Sequence, residues 1–141
     1  MRVYSRAFLY GRETDPKQVR LELSEVNRGA MVQTFSSEET TNAFFIRMLA
    51  AQTLRAESTG SLLAKKPEMD FLLRLAGTSQ ISEAISKVGS RQGEPFVLVL
   101  ASLRPLKGGS VASGRRLPAQ PLSESELRRV EQGALLSAHR A

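Results

Sequence analysis

Pro67-Glu68-Met69-Asp70-Phe71-Leu72-Leu73-Arg74-Leu75-Ala76-Gly77, continued by Thr78-Ser79-Gln80-Ile81-Ser82-Glu83-Ala84-Ile85-Ser86-Lys87-Val88-Gly89, reads as two short helices written end to end. Met69, Leu72, Leu73 and Ala76 follow the i, i+3, i+4, i+7 spacing that puts apolar side chains on one helix face. Pro67 suits the first turn, where its missing N–H costs nothing, and Gly77 suits the end, where a left-handed residue is wanted. Ile81, Ala84, Ile85 and Val88 repeat the spacing, with Thr78 or Ser79 as the cap and Gly89 as the stop. Two stripes this close must meet. Packing alone then accounts for Met69, Leu72, Leu73, Ile81, Ala84, Ile85 and Val88 as scaffold.

Outward from this pair, the chain divides into strands and helices. Arg2 to Tyr10 alternates roughly and suits a first strand covered on one face. Asp15-Pro16 opens a helix carrying Val19, Leu21, Leu23 and Val26. Ala30 to Phe35 is short and β-prone, and Ser36-Ser37-Glu38-Glu39 leads from it into a helix expected from Glu38 to about Arg55. In that helix Ala43, Ile46, Ala50 and Leu54 share a face, with Phe45, Leu49 and Thr53 beside it. Phe96-Val97-Leu98-Val99-Leu100-Ala101 is a continuous apolar run of the kind buried on both faces of a sheet.

No acidic residue occurs from Pro95 through Ser123, and Gly, Ser, Pro, Lys and Arg dominate from about 104 to 122. That composition predicts a flexible basic loop. Ser123 and Glu126 then form a capping-box pattern ahead of a last helix, about 124–138, with Leu127, Val130, Ala134 and Leu135 as its apolar set. Residues 1–141 are therefore expected to form a single α+β domain, a small mixed or antiparallel sheet packed against a cluster of α-helices.

Composition narrows the chemistry. The chain has no cysteine, which removes disulfides, thiolate metal sites and cysteine nucleophiles, and which agrees with a reducing cytoplasm. No apolar run reaches the ~18 residues of a membrane span, and the N-terminus lacks the apolar core of a secretory signal. A cytoplasmic protein away from membranes is expected. His139, the single histidine, stands near the C-terminus, a poor place for a catalytic base. One histidine and no cysteine cannot assemble the common transition-metal sets. Asp15 and Asp70 are the only aspartates, one read as a helix cap and the other beside an apolar stripe. The run from Gly108 to Gly114 lacks the Lys-Ser/Thr of a phosphate loop and reads as surface loop. Neither a catalytic residue, a metal site nor a cofactor is expected.

The formal net charge of +6 attracts polyanions, although a solvated surface accounts for the same excess. Lys65 and Lys66 precede the helix of Arg74, and Arg47 and Arg55 lie on the helix before it. If the helices are neighbours, these residues form one basic patch able to position phosphates. The last helix, following a loop, could be spare for a partner through Leu127, Val130 and Leu135.

Met69 to Ile85, with its acidic residue, aliphatic run, Ala76-Gly77, Gln80-Ile81, Glu83-Ala84-Ile85 and late Gly89, resembles the signature of the KEOPS-complex small accessory subunit family. This is the family of the PRPK-binding protein, TPRKB. The resemblance extends from about Asn42 to Ser102, taking in the alanine-rich helix before the signature and the apolar strand after it. Asp70 replaces the usual glutamate, Lys65-Lys66 replaces a frequent Asn-Ser, and the C-terminal third is short.

The resemblance implies a non-catalytic subunit that binds and stimulates the kinase-like, PRPK-type ATPase of KEOPS. That complex installs threonylcarbamoyl on the adenosine beside the anticodon, the transfer falling to a different, metal-dependent subunit. The resemblance also implies help in recruiting tRNA through its 3′ CCA end, and an archaeal source. On this reading the RNA contacts are expected at Lys65, Lys66, Arg74, Arg47 and Gln80, and the kinase contacts at Leu127, Val130 and Leu135. Two other readings compete: a stand-alone small enzyme acting on a nucleotide-like substrate, and a self-associating module whose exposed apolar helix closes a homodimer.

Overall fold

The computed structural model describes residues 2–107 and 114–140, with residues 137–140 described through their backbone alone. The glycine run as far as residue 113 and the His139 side chain lie outside the described residues. In chain order the elements are β1 (Tyr4–Tyr10), α1 (Pro16–Val26), β2 (Met31–Ser36), α2 (Ala43–Ser58), α3 (Pro67–Ala76), α4 (Ile81–Val88), β3 (Phe96–Ser102), β4 (Arg115–Arg116) and α5 (Glu124–Arg140). The strands form one antiparallel sheet in the order β2-β3-β1-β4.

The continuous apolar run becomes the central strand because both of its faces are covered. Val97, Val99 and Ala101 join Ala7, Phe35, Leu49 and Leu73 in one core cluster on the α2–α3–α4 side. Phe96, Leu98 and Leu100 alternate to the opposite side and meet Phe8, Tyr10, Val19 and Leu23 beneath α1. Tyr10 and Phe96 stack there with ring centroids 5.0 Å apart. The sheet is thus the middle layer of an α+β domain, with α1 on one face and the helical cluster on the other.

The local signals explain most element ends. Asp15 caps α1 by accepting from the Lys17 N–H at 3.1 Å, with Pro16 in the first turn. Gly77 ends α3 with φ 72°, a left-handed conformation that favours glycine. Ser123 and Glu126 complete a reciprocal box at the start of α5, with backbone-to-side-chain bonds of 2.9 and 3.2 Å.

Three stretches depart from expectation, the first being the start of α4, where Gln80 stands at the N-cap with no side-chain bond in place of Thr78 or Ser79. α2 begins at Ala43, not Glu38, because Ser36 to Glu39 closes a turn and Asn42 caps the helix by accepting from the Phe44 N–H at 3.0 Å. The basic segment is not wholly loop either. Arg115 and Arg116 add an edge strand to β1, and the Leu117 N–H donates to the Ala7 carbonyl at 2.9 Å while its side chain is buried. One apolar residue in a polar stretch provides that anchor.

Candidate functional site

Arg74 is the first sequence-derived candidate that the structure relocates. It lies on α3, one turn after Asp70, and both side chains are 0% exposed. The pair is bidentate, with Arg74 Nε to Asp70 Oδ1 at 2.6 Å and Nη2 to Oδ2 at 3.1 Å. Thr53 of α2 donates its hydroxyl to Oδ1 at 2.5 Å, and the Leu63 N–H donates to Oδ2 at 2.9 Å. Arg74 Nη1 donates to the Gly133 carbonyl of α5 at 2.8 Å. The carboxylate is therefore saturated and the guanidinium is committed, as a buried ion pair requires. Arg74 is withdrawn from the RNA-facing set: it ties α2, α3 and α5 together and has no exposed surface.

The remaining basic candidates do not form one patch. Lys65 and Lys66 are exposed just ahead of α3, and Gln80 is exposed at the N-cap of α4. Arg47 is exposed near the start of α2, while Lys65 and Lys66 follow the end of that helix, about 16 Å away along its axis at 1.5 Å per residue. Arg47 instead donates to the Val3 carbonyl at 2.9 Å and shares a cleft of about 220 Å³ with Arg6, Phe44, Arg116 and Leu117. Among the described residues no acidic side chain lines that cleft. Arg6 and Arg116 escaped sequence reasoning because they lie far apart in the chain; only the pairing of β1 with β4 makes them neighbours.

The apolar candidates also divide. Val130 packs against the core cluster, and its carbonyl accepts from the Gln52 side chain at 2.8 Å. Val130 therefore faces inward and is corrected out of the partner-facing set, whereas Leu127 and Leu135 remain exposed. The larger surprise is α4. Ala84 and Val88 are buried, but Ile81 and Ile85 are 47% and 49% exposed. α4 closes the end of the helical layer, packed chiefly on α3 among the described elements, so half of its stripe is left only partly covered. Ile81 and Ile85 are not core, contrary to the spacing argument.

α5 is seated by polar contacts more than by its stripe. Arg129 donates to the Leu75 carbonyl at 3.0 Å and Gln132 to the Gly77 carbonyl at 3.3 Å. Gly133 lies so close to Gln52 that a Cβ there would collide with its side-chain oxygen. Glu126 accepts from the Thr40 hydroxyl at 3.2 Å and the Asn42 amide at 3.2 Å, besides the Ser123 N–H. Burial works to raise the Glu126 pKa, but these hydrogen bonds outweigh it and hold the carboxyl below its ordinary value.

Among the described residues no three His, Asp or Glu side chains are placed to share a metal ion, and no helix is long and apolar enough to cross a membrane. No protein-family model matches the chain. A curated relative, the KEOPS complex subunit Cgi121 of Pyrococcus abyssi, is 36% identical over 90 residues, 60% of this chain and 53% of that protein. The chain thus matches about half the length of the relative. That similarity bears out the resemblance to the KEOPS small accessory subunit family carried by the residues around α3 and α4.

Proposed function

We propose that this chain is a non-catalytic accessory subunit of a KEOPS tRNA-modification complex, docking the kinase-like ATPase subunit and helping to recruit tRNA. The observation that carries the reading is the pairing of Cgi121 similarity with an apolar surface where the signature helix leaves the core. Ile81 and Ile85, one turn apart, present that surface on α4. A solvent-facing pair of isoleucines gives nothing to the fold and much to an interface whose apolar centre excludes water. Leu127 and Leu135 on α5 are also exposed and are retained as partner contacts.

RNA is assigned to the cleft of Arg6, Arg47 and Arg116. It is free of carboxylates, and Phe44, 40% exposed, stands at its wall as a stacking surface. Lys65, Lys66 and Gln80 remain exposed and can extend the contact only if the RNA spans the length of α2. An Arg47→Glu, Arg116→Glu variant is expected to lose tRNA binding about tenfold or more in low salt, with a flatter salt dependence than the parent. Unchanged binding would remove the cleft from the reading. For the protein partner, co-purification with the kinase-like subunit encoded in the same genome is expected, with no ATP turnover by the isolated chain. Robust hydrolysis by this chain alone would replace the accessory-subunit reading with an enzyme, and a homodimer with no affinity for the kinase-like subunit would replace it with the self-associating module.

A further inference from the structure

Beside the α4 stripe, on the outer edge of β2, lies a groove of about 220 Å³ that neither the packing nor the RNA assignment uses. α1 forms one wall and contributes Lys17 and Arg20. α3 and α4 form the other and contribute Met69, Leu72 and Ile85. Thr34 and Ser90 lie between them with their hydroxyls 2.7 Å apart. That bond consumes one of the two hydroxyl protons, so the pair still holds one O–H to give.

The groove has donors and no acid. Arg20 makes a single long contact, 3.5 Å to the Gln33 side-chain oxygen, and neither it nor Lys17 has an ion-pair partner among the described residues. Among the described residues no carboxylate lines the groove. The three nearest in sequence are engaged elsewhere: Asp15 accepts from the Lys17 N–H, Glu68 from the Val32 N–H at 3.4 Å, and Asp70 is held by Arg74. What fits is an anionic acceptor flanked by aliphatic surface.

The form of the occupant follows from the β2 edge. Its amides are already taken, Val32 by Glu68 and Thr34 by the Gln33 side chain at 2.9 Å, and Gly89 bridges Phe35. An added strand would find no ladder to continue. A phosphate backbone would satisfy Lys17 and Arg20 but leave the exposed faces of Ile85 and the neighbouring Ile81 in water. A helix bearing a carboxylate beside aliphatic residues satisfies both halves.

We infer that this groove receives an acidic side chain from an amphipathic helix of the protein partner, the carboxylate meeting Lys17, Arg20 and the Thr34–Ser90 pair while neighbouring apolar residues cover Ile81 and Ile85. The inference rests on α4 being a protein-docking surface, and the experiment separates the two. Titration calorimetry of the kinase-like subunit from the same genome is run against the parent chain, Ile81→Glu, and Lys17→Glu with Arg20→Glu, in low and high salt. All three changes are at surface positions, so melting temperatures serve as the fold control.

Charge reversal in the groove is expected to weaken binding about tenfold or more and to abolish the salt dependence, as loss of a complementary charge pair does. A compensating carboxylate-to-lysine substitution on the partner helix should restore it. If Ile81→Glu abolishes binding while the groove variant binds like the parent, the inference fails and the docking surface stands. If neither variant changes binding, α4 is not the docking surface and the inference falls with it. If the groove variant loses tRNA and keeps the protein, the groove belongs to RNA and the inference is overturned.

Discussion

α3 and α4 are written with the same apolar spacing and are separated by only a short turn, yet their fates differ. On α3 every residue from Asp70 to Ala76 is buried, charges included. On α4 only Ala84 and Val88 are buried, and the two isoleucines face outward. Periodicity tells which face of a helix is apolar; it does not tell whether another element arrives to cover it. α3 sits between α2, α4, α5 and β2, whereas α4 packs chiefly on α3 among the described elements. The inner helix can hold an ion pair because it is surrounded by partners for every lone pair and proton, and the outer helix can show isoleucine because its neighbours have run out.

That contrast can be broken most forcefully at the ion pair. Arg74→Ala or Asp70→Ala should cost about 3–5 kcal/mol, read by urea unfolding, since each leaves a buried charge without its partner. A double replacement by leucine and methionine should recover much of that loss. Next, Leu73→Ala on α3 should cost about 2–5 kcal/mol through the cavity it leaves. The matching change on α4, Ile85→Ser, should fall within about 0.5 kcal/mol of the parent, because it alters a half-exposed position. Equal losses at Leu73 and Ile85 would show that α4 is covered in solution and would undo the contrast.

The smallest effect concerns α5. The Glu126 carboxyl titrates below its ordinary value in the folded chain, so its contribution is present above the unfolded pKa and is lost as the pH falls through the folded one. Acidification from the ordinary glutamate range downward should therefore destabilise the parent more steeply than Glu126→Gln. Parallel acid slopes for the two would exclude Glu126 as a clamp on α5.

Much of this architecture is legible in the residues. Asp15-Pro16, Gly77 and the Ser123–Glu126 box each mark an element end by chemistry that operates within a few residues, and each holds in three dimensions. The unbroken apolar run of β3 likewise forces a central strand. What was not legible depends on pairing between distant segments. Arg74 looked like a surface cation because nothing local reveals that Thr53 and Gly133 converge on it and its carboxylate partner. Arg6 and Arg116 could not be joined before β1 and β4 were known to be adjacent. Ile81 and Ile85 looked like core because a stripe carries no information about the edge of a layer.

Glycine at position 133 costs α5 helix propensity at the point where the helix backbone meets Arg74 and Gln52. The backbone there offers its carbonyl to Arg74 at 2.8 Å, and a Cβ at this position would push aside the side-chain oxygen of Gln52. A rotation of α5 by a single residue, about 100°, would carry that carbonyl away from Arg74. The Arg74 bond to that carbonyl is thus an index mark: it favours one rotational phase of the last helix, and with it the bearing at which Leu127 and Leu135 are held out to whatever approaches.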